Sequence, residues 1–272
     1  MSYRLVALDL DDTLLDENSK ISERNRRAVA EAIDKGVRVT LATGRMLRST
    51  AAYARELGIE LPLITYHGAL VKRLNHSQSC YYQPLEYQMA REVLEEAQKK
   101  GHHVNLYLDD RLLVKEHNRF TRFYATISSV QIEAVGDLVK VIEEFKKGPP
   151  KLTVIDEEEA MEELISILEE RYRESINLML SRPFFLEITH PQATKGRALK
   201  MLAEEWGIKR AEVMAVGDSF NDLDMIQYAG MGVAVENARP QVKSAADHIT
   251  LSHQEDGVAE VLEKYVLNHQ YR

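Results

Sequence analysis

Two hydrophobic rhythms alternate through the first 70 residues of the chain. Leu5-Val6-Ala7-Leu8 is a short unbroken apolar run, the pattern of a strand buried on both faces of a parallel sheet. Ser22 then stands as N-cap to a helical stretch that puts Ala28, Val29, Ala32 and Ile33 on one face, and Gly36 stops it. Val37 to Ala42 reads as a second strand, Leu47 to Leu57 as a helix ended by Gly58, and Leu63 to Tyr66 as a third strand. The unit is β-α-β-α-β. The same alternation returns late in the chain, where Thr194 caps a helix carrying Ala198, Leu199, Leu202 and Trp206. A strand at Val213 to Val216, a helix ending at Gly230 and a strand at Val233 to Val235 follow.

The middle has a different texture. A Glu- and Lys-rich helix with Leu85, Met89, Val93 and Ala97 on one face precedes strands at Val104 to Leu108 and Leu112 to Lys115, parted by Asp109-Asp110-Arg111. Another helix, a strand at Leu152 to Ile155, an acidic helix from about Glu157 to Tyr172 and a hairpin around Arg182-Pro183 complete it. The pattern predicts an α/β protein: a Rossmann-like doubly wound parallel sheet core (1–83 and 190–272) with an inserted α+β domain (84–189). No apolar run approaches the roughly 18 residues a membrane span needs, and Asp9 cuts the first one before it reads as a signal segment.

Composition narrows the partners. The 43 acidic residues outnumber 35 Lys and Arg, a formal charge of −8, which is the wrong sign for a surface that holds nucleic acid by neutralising phosphates. With 44% hydrophobic and 29% charged residues the chain is an ordinary globular one rather than a disordered one. Cys80 is the single cysteine, so neither an internal disulfide nor a cysteine zinc cluster forms; it reads as a small packing residue in a reducing, cytoplasmic setting.

The first strand runs into Asp9-Leu10-Asp11-Asp12-Thr13. Three carboxylates in four residues are either a polar turn with a capping Asp or a chemical site. In an Asp-x-Asp pair the turn aims two side chains at different sides of one bound group. An ionised Asp9 then attacks phosphorus to form an aspartyl-phosphate. Asp11 protonates the leaving oxygen and later deprotonates water, a role worth about 10²- to 10⁴-fold.

A second acidic cluster, Gly217-Asp218-Ser219-Phe220-Asn221-Asp222, follows another buried strand, and reads either as a strand-to-helix cap or as part of a metal site. If Asp9, Asp218 and Asp222 converge, each pair about 4 Å apart repels by about 4 kcal/mol at an effective dielectric constant near 20, and a cation is required. Hard oxygen ligands favour Mg²⁺. Thr43-Gly44-Arg45, at the end of the second strand, offers a hydroxyl and backbone N–H groups to phosphate oxygens. Lys195 offers a compact positive charge. Position joins these signals: Asp9, Thr43 and Asp218 all follow the carboxyl ends of strands, where doubly wound sheets bind ligands.

In order and spacing, Asp9-Leu10-Asp11-Asp12-Thr13, Thr43-Gly44-Arg45, Lys195 and Gly217-Asp218-x-x-Asn221-Asp222 resemble the four motifs of the haloacid dehalogenase superfamily. The insert between the second and third motifs resembles a type II, subclass B cap. Asn221-Asp222-Leu223-Asp224-Met225, Ala229-Gly230, Glu236-Asn237-Ala238 and Asp256-Gly257-Val258 are similar to Cof-type phosphatases. The resemblance implies that Asp9 is the nucleophile, Asp11 the acid/base, and Thr43 and Lys195 holders of the phosphoryl group. Gly44, Arg45 and Asn221 join that substrate- and phosphate-binding set. Mg²⁺ would be held by Asp9, the Asp11 backbone carbonyl and Asp218, with Asp222 assisting. Asp11 argues against a dehalogenase, whose pattern lacks it. Asp12 and His67 depart from the Gly and Asn usual at their positions.

The resulting expectation is a Mg²⁺-dependent phosphatase of small phosphorylated metabolites: sugar phosphates, pyridoxal phosphate or a riboflavin-pathway phosphate. A phosphomutase returning the phosphoryl group to a sugar hydroxyl, and a metabolite-binding regulator with little turnover, are the alternatives. Oligomeric state is not specified by the sequence. Several conspicuous residues read structurally. His67 is a hydrogen-bonded loop histidine ahead of a substrate contact. His102-His103 point to opposite faces and form no metal pair. The Glu157–Glu159 and Glu162-Glu163 runs make a solvated helix face. Arg45, Arg182 and Glu187 are specificity residues or members of ion pairs.

Overall fold

The computed structural model describes residues 3–128, 130–182 and 184–268. It divides into two compact units, one running up to Tyr81 and resuming at Thr194, the other spanning Tyr82–Ala193. In the first, five parallel strands lie in the order His248–Ile249, Met231–Ala234, Val213–Gly217, Leu5–Leu8, Arg38–Leu41. A bridge between Ala42 and Ile64 attaches Leu63–Thr65 beyond Arg38–Leu41. The chain thus winds outward in one direction from Leu5–Leu8 and in the other from Val213–Gly217, and the order reverses between these two neighbours.

Every residue of Leu5–Leu8 and of Val213–Gly217 is buried, which is why neither run shows a polar/apolar alternation. On one face Leu5, Ala7, Val213 and Ala215 pack with Leu199 and Leu202 of helix Lys195–Glu205 and Met225 of helix Leu223–Tyr228. Helix Glu23–Asp34 starts where the sequence places it, with Ser22 Oγ accepting the Asn25 N–H at 3.0 Å. It packs on helix Gly257–Tyr265 through the Arg24–Glu263 ion pair (2.7 Å) and the buried Asn25, whose Oδ1 accepts the Ala259 N–H. Helix Gly257–Tyr265, helix Pro240–Ala245 and strand His248–Ile249 lie beyond the sequence-predicted elements.

The insert is a six-stranded sheet ordered Asn177–Arg182, Phe185–Thr189, Leu152–Ile155, His103–Leu108, Arg111–Val114, Ile132–Ala134. One face, with Val104, Leu106, Leu152, Val154, Leu186 and Ile188, packs under helices Tyr87–Lys99, Leu138–Phe145 and Glu158–Tyr172. Asp109 and Asp110 have φ of +47° and +57°, the left-handed pair that a two-residue hairpin requires. The predicted single middle helix is two, Arg119–Ile127 and Leu138–Phe145, and the strand between them pairs in parallel with Arg111–Val114. The hairpin about Arg182-Pro183 is present as strands, with Pro183 outside the described residues.

Helix Glu158–Tyr172 buries Met161, Leu164 and Leu168 and turns its glutamates to solvent. Cys80 is a correction: it is exposed, because it lies in the connection after Leu70–Lys72, held there by its N–H donating to Val71 O at 2.8 Å. No helix among the described residues is long and apolar enough to cross a membrane. Leu106→Ala opens a hole in the insert's packed face and is expected to cost about 2–5 kcal/mol. Glu162→Ala on the solvated helix face is expected to change stability by less than about 0.5 kcal/mol. Urea unfolding monitored by circular dichroism compares the two.

Candidate active site

Asp9 is the first residue past Leu5–Leu8, and its N–H donates to Val216 O at 3.0 Å. The last rung between the two central strands therefore sets Asp9 against the Gly217-Asp218 turn. Helix Lys195–Glu205 brings the third component. Thr194 caps it by accepting the Arg197 N–H at 3.3 Å, and Asp224 accepts the Gly196 N–H at 2.8 Å. Lys195, in its first turn, has no side-chain exposure and donates from Nζ to Asp9 Oδ1 and to Asp222 Oδ1, each at 2.6 Å.

Asp222 Oδ2 accepts the N–H groups of Asp218 (3.1 Å) and Ser219 (3.0 Å), so this buried carboxylate ties Lys195 to the loop that carries Asp218. Gly217 makes the approach possible, since a Cβ there would lie 2.5 Å from the Asp222 carboxyl carbon. Thr13 Oγ1 donates to Asp218 Oδ1 at 3.1 Å and closes the ring between the two strand ends. One carboxylate oxygen each from Asp9, Asp218 and Asp222 lies within 4.8 Å of the others.

Burial and crowding raise the proton affinity of Asp9 and Asp218. Asp9 is held well above the ordinary range by desolvation, against the pull of Lys195 and with Asp222, Asp218 and Asp11 adding repulsion. Asp218 is pushed up to about 7, again by desolvation first and Asp222 next. Burial works to lower Lys195, but Asp222 and Asp9 outweigh it and keep it an ammonium. Three carboxylates around one ammonium leave an excess of two negative charges. Asn221 Oδ1, a buried acceptor, meets no donor among the described residues. The set fits a hydrated divalent cation, with carboxylates for the ion and an acceptor for one of its waters.

Thr43 is buried past Arg38–Leu41, where its N–H donates to Ile64 O at 2.9 Å and its Oγ1 accepts the Arg45 N–H at 3.1 Å. Gly44 lies under the His67 ring, 2.2 Å from where a Cβ would point. His67 is buried, as a loop histidine with φ +58°, and Asn221 Nδ2 donates to its Nδ1 at 3.1 Å. The sequence reading put Arg45 with the phosphate-binding residues, whereas its guanidinium grips Asp11, through Nε to Oδ2 at 2.8 Å and Nη2 to Oδ1 at 2.5 Å. Asp12 takes φ +57°, which explains the preference for glycine at this position.

Of the remaining residues singled out, Glu187 pairs with Lys151 at 3.1 Å and the Arg182 side chain lies outside the described ones. His102 bonds Asp156 and His103 bonds Asn105, so neither is half of a metal pair. The sequence reading gave no role to Thr13 and Asp224, although both stood within quoted motifs, nor to Tyr53, which anchors Arg45 and carries no local signal.

A doubly wound sheet with an acidic, lysine-bridged cluster at the carboxyl ends of its central strands has the layout of an α/β enzyme site. The chain belongs to the haloacid dehalogenase-like hydrolases, whose family model matches residues 6–262. It is 32% identical to the 5-amino-6-(5-phospho-D-ribitylamino)uracil phosphatase YcsE of Bacillus subtilis, over 98% of this chain and 97% of that one. Among solved structures it is similar to TM0651 of Thermotoga maritima, at TM-score 0.88 and 35% identity over 96% and 97% of the two chains. A haloacid dehalogenase-like hydrolase of Bacteroides thetaiotaomicron aligns at TM-score 0.89 and 31% identity over 97% and 99%. The mixed α/β architecture, a parallel sheet core with an added antiparallel sheet, is that of haloacid dehalogenase-like hydrolases.

Because folded Asp218 binds its proton more tightly than the unfolded chain does, metal-free stability rises as pH falls from about 8 to about 6. A bound divalent cation displaces that proton and flattens the rise. Melting curves in EDTA and in Mg²⁺ are expected to show both effects, and Asp218→Asn to reduce the metal-free slope, to which the likewise raised Asp9 also contributes.

Proposed function

We propose that the chain is a Mg²⁺-dependent phosphatase of small phosphorylated metabolites, acting through an aspartyl-phosphate on Asp9. The observation that carries this reading is the Lys195 ammonium shared by Asp9 and Asp222 within the three-carboxylate cluster. Such a site holds a nucleophilic carboxylate in one orientation and excludes water from it.

Lys195 holds Asp9 by Oδ1, fixing the plane from which the carboxylate attacks. As the Asp9 O–P bond forms, the ester P–O bond breaks, and a proton on Asp11 passes to the leaving oxygen to give the free alcohol. In the second half, water attacks the same phosphorus and gives a proton to Asp11. The Asp9–P bond breaks, inorganic phosphate leaves and the Asp9 carboxylate is restored. Thr43, Gly44 and Lys195 orient the phosphoryl oxygens, and Asn221 flanks them. Asp9, Asp218 and the Asp11 backbone carbonyl would hold Mg²⁺, with Asp222 supporting from behind. When bound, the ion neutralises charge on the cluster and on the phosphoryl group.

The likeness to a ribitylaminouracil phosphatase supports a riboflavin-pathway phosphate as one substrate class, beside sugar phosphates and pyridoxal phosphate. A screen of these compounds is expected to give Mg²⁺-dependent release of inorganic phosphate. EDTA should abolish release reversibly, and Asp9→Asn should lower kcat at least about 10³-fold. Full activity after either change overturns the reading. Transfer of the group to a second sugar without phosphate release would make the enzyme a mutase instead.

A further inference from the structure

Asp11 projects from its loop with half of its side chain exposed, yet it is held at both oxygens. Arg45 meets it with two parallel N–H···O bonds, the fork-to-fork geometry that fixes a carboxylate in position and plane. The guanidinium is fixed in turn. It lies 5.2 Å over the Tyr53 ring, and its Nη1 donates to the Tyr53 hydroxyl at 3.4 Å. That hydroxyl donates to Ser19 O at 3.1 Å. On the main chain, Arg45 N donates to Thr43 Oγ1, and Arg45 O accepts the Tyr66 N–H at 2.9 Å. An unbroken run of contacts thus leads from Ser19 through Tyr53 and Arg45 to Asp11, and all three guanidinium nitrogens are turned to that run.

We infer that Arg45 is a positioning residue for Asp11, clamping the acid/base in place rather than binding the phosphoryl group. The inference rests on Asp11 acting as acid/base. The clamped carboxylate is the form that accepts the proton from the attacking water. The same proton then passes from Asp11, held toward the site by the Arg45 fork, to the next leaving oxygen. Loss of the clamp costs proton transfer and leaves phosphate affinity alone.

The test compares glycerol 2-phosphate, whose alkoxide needs a proton to leave, with p-nitrophenyl phosphate, whose phenolate leaves without one. Asp11→Asn is the control and should lose far more kcat on the first ester than on the second. Arg45→Ala is expected to follow it, with kcat down about 10- to 100-fold on glycerol 2-phosphate and less than about threefold on p-nitrophenyl phosphate. KM and inhibition by inorganic phosphate should stay within about twofold, Arg45→Lys should recover part of the loss, and Arg45→Ala should cost nothing more in an Asp11→Asn background. Equal losses on both esters with phosphate inhibition weakened about tenfold or more would overturn the inference and return Arg45 to the phosphate site. A control that fails to distinguish the two esters would instead remove the acid/base role of Asp11, and the inference with it. If Arg45→Ala does not fold, Tyr53→Phe loosens the clamp from behind and should show the same split at about two- to fivefold.

Discussion

The structure of the site depends on one buried ammonium. Lys195 has no exposure, and placing its charge there would be prohibitive without the two carboxylate oxygens at 2.6 Å. Those oxygens belong to segments more than two hundred residues apart in sequence, Asp9 after one central strand and Asp222 after its parallel neighbour. The ion pair is therefore also a fold constraint: it ties helix Lys195–Glu205 to the ends of both central strands. Because breaking such a pair strands a buried charge, the interaction specifies one arrangement even where its net contribution to stability is small.

The charge count at the same place links stability to chemistry. Asp9, Asp218 and Asp222 crowd one ammonium, and desolvation first, with the neighbouring negative charge added, raises the proton affinity of Asp9 and Asp218. The second carboxylate of the first motif is treated oppositely: Asp11 is half exposed and paired with a guanidinium fixed from behind by Tyr53. Two aspartates two residues apart thus receive different environments, as the proposed division into nucleophile and proton carrier requires.

Much of this was legible in the sequence, for identifiable reasons. Unbroken apolar runs such as Leu5–Leu8 announce strands covered on both sides, and Ser22 and Thr194 mark helix starts because their side chains satisfy local N–H groups. The approach of Asp9 to Asp218 followed from strand ends in a wound sheet. What escaped detection was set by tertiary contacts. Strand Ile132–Ala134 is too short to announce itself, and helix Gly257–Tyr265 is placed by a partner near the other end of the chain. The grip of Arg45 on Asp11 spans 34 positions, and nothing local distinguishes it from phosphate binding. Cys80 was judged by its residue type, and its exposure is decided by the turn in which it sits.

The central claim is that folding gathers three carboxylates and one ammonium into a site short of positive charge, which a single divalent ion completes. Titration calorimetry with Mg²⁺ on the full chain tests it most directly. One ion per chain, bound at least about tenfold more weakly once Asp218→Asn removes a ligand, is the predicted result. Binding of no ion by the native protein, or an unchanged isotherm in Asp218→Asn, would contradict it.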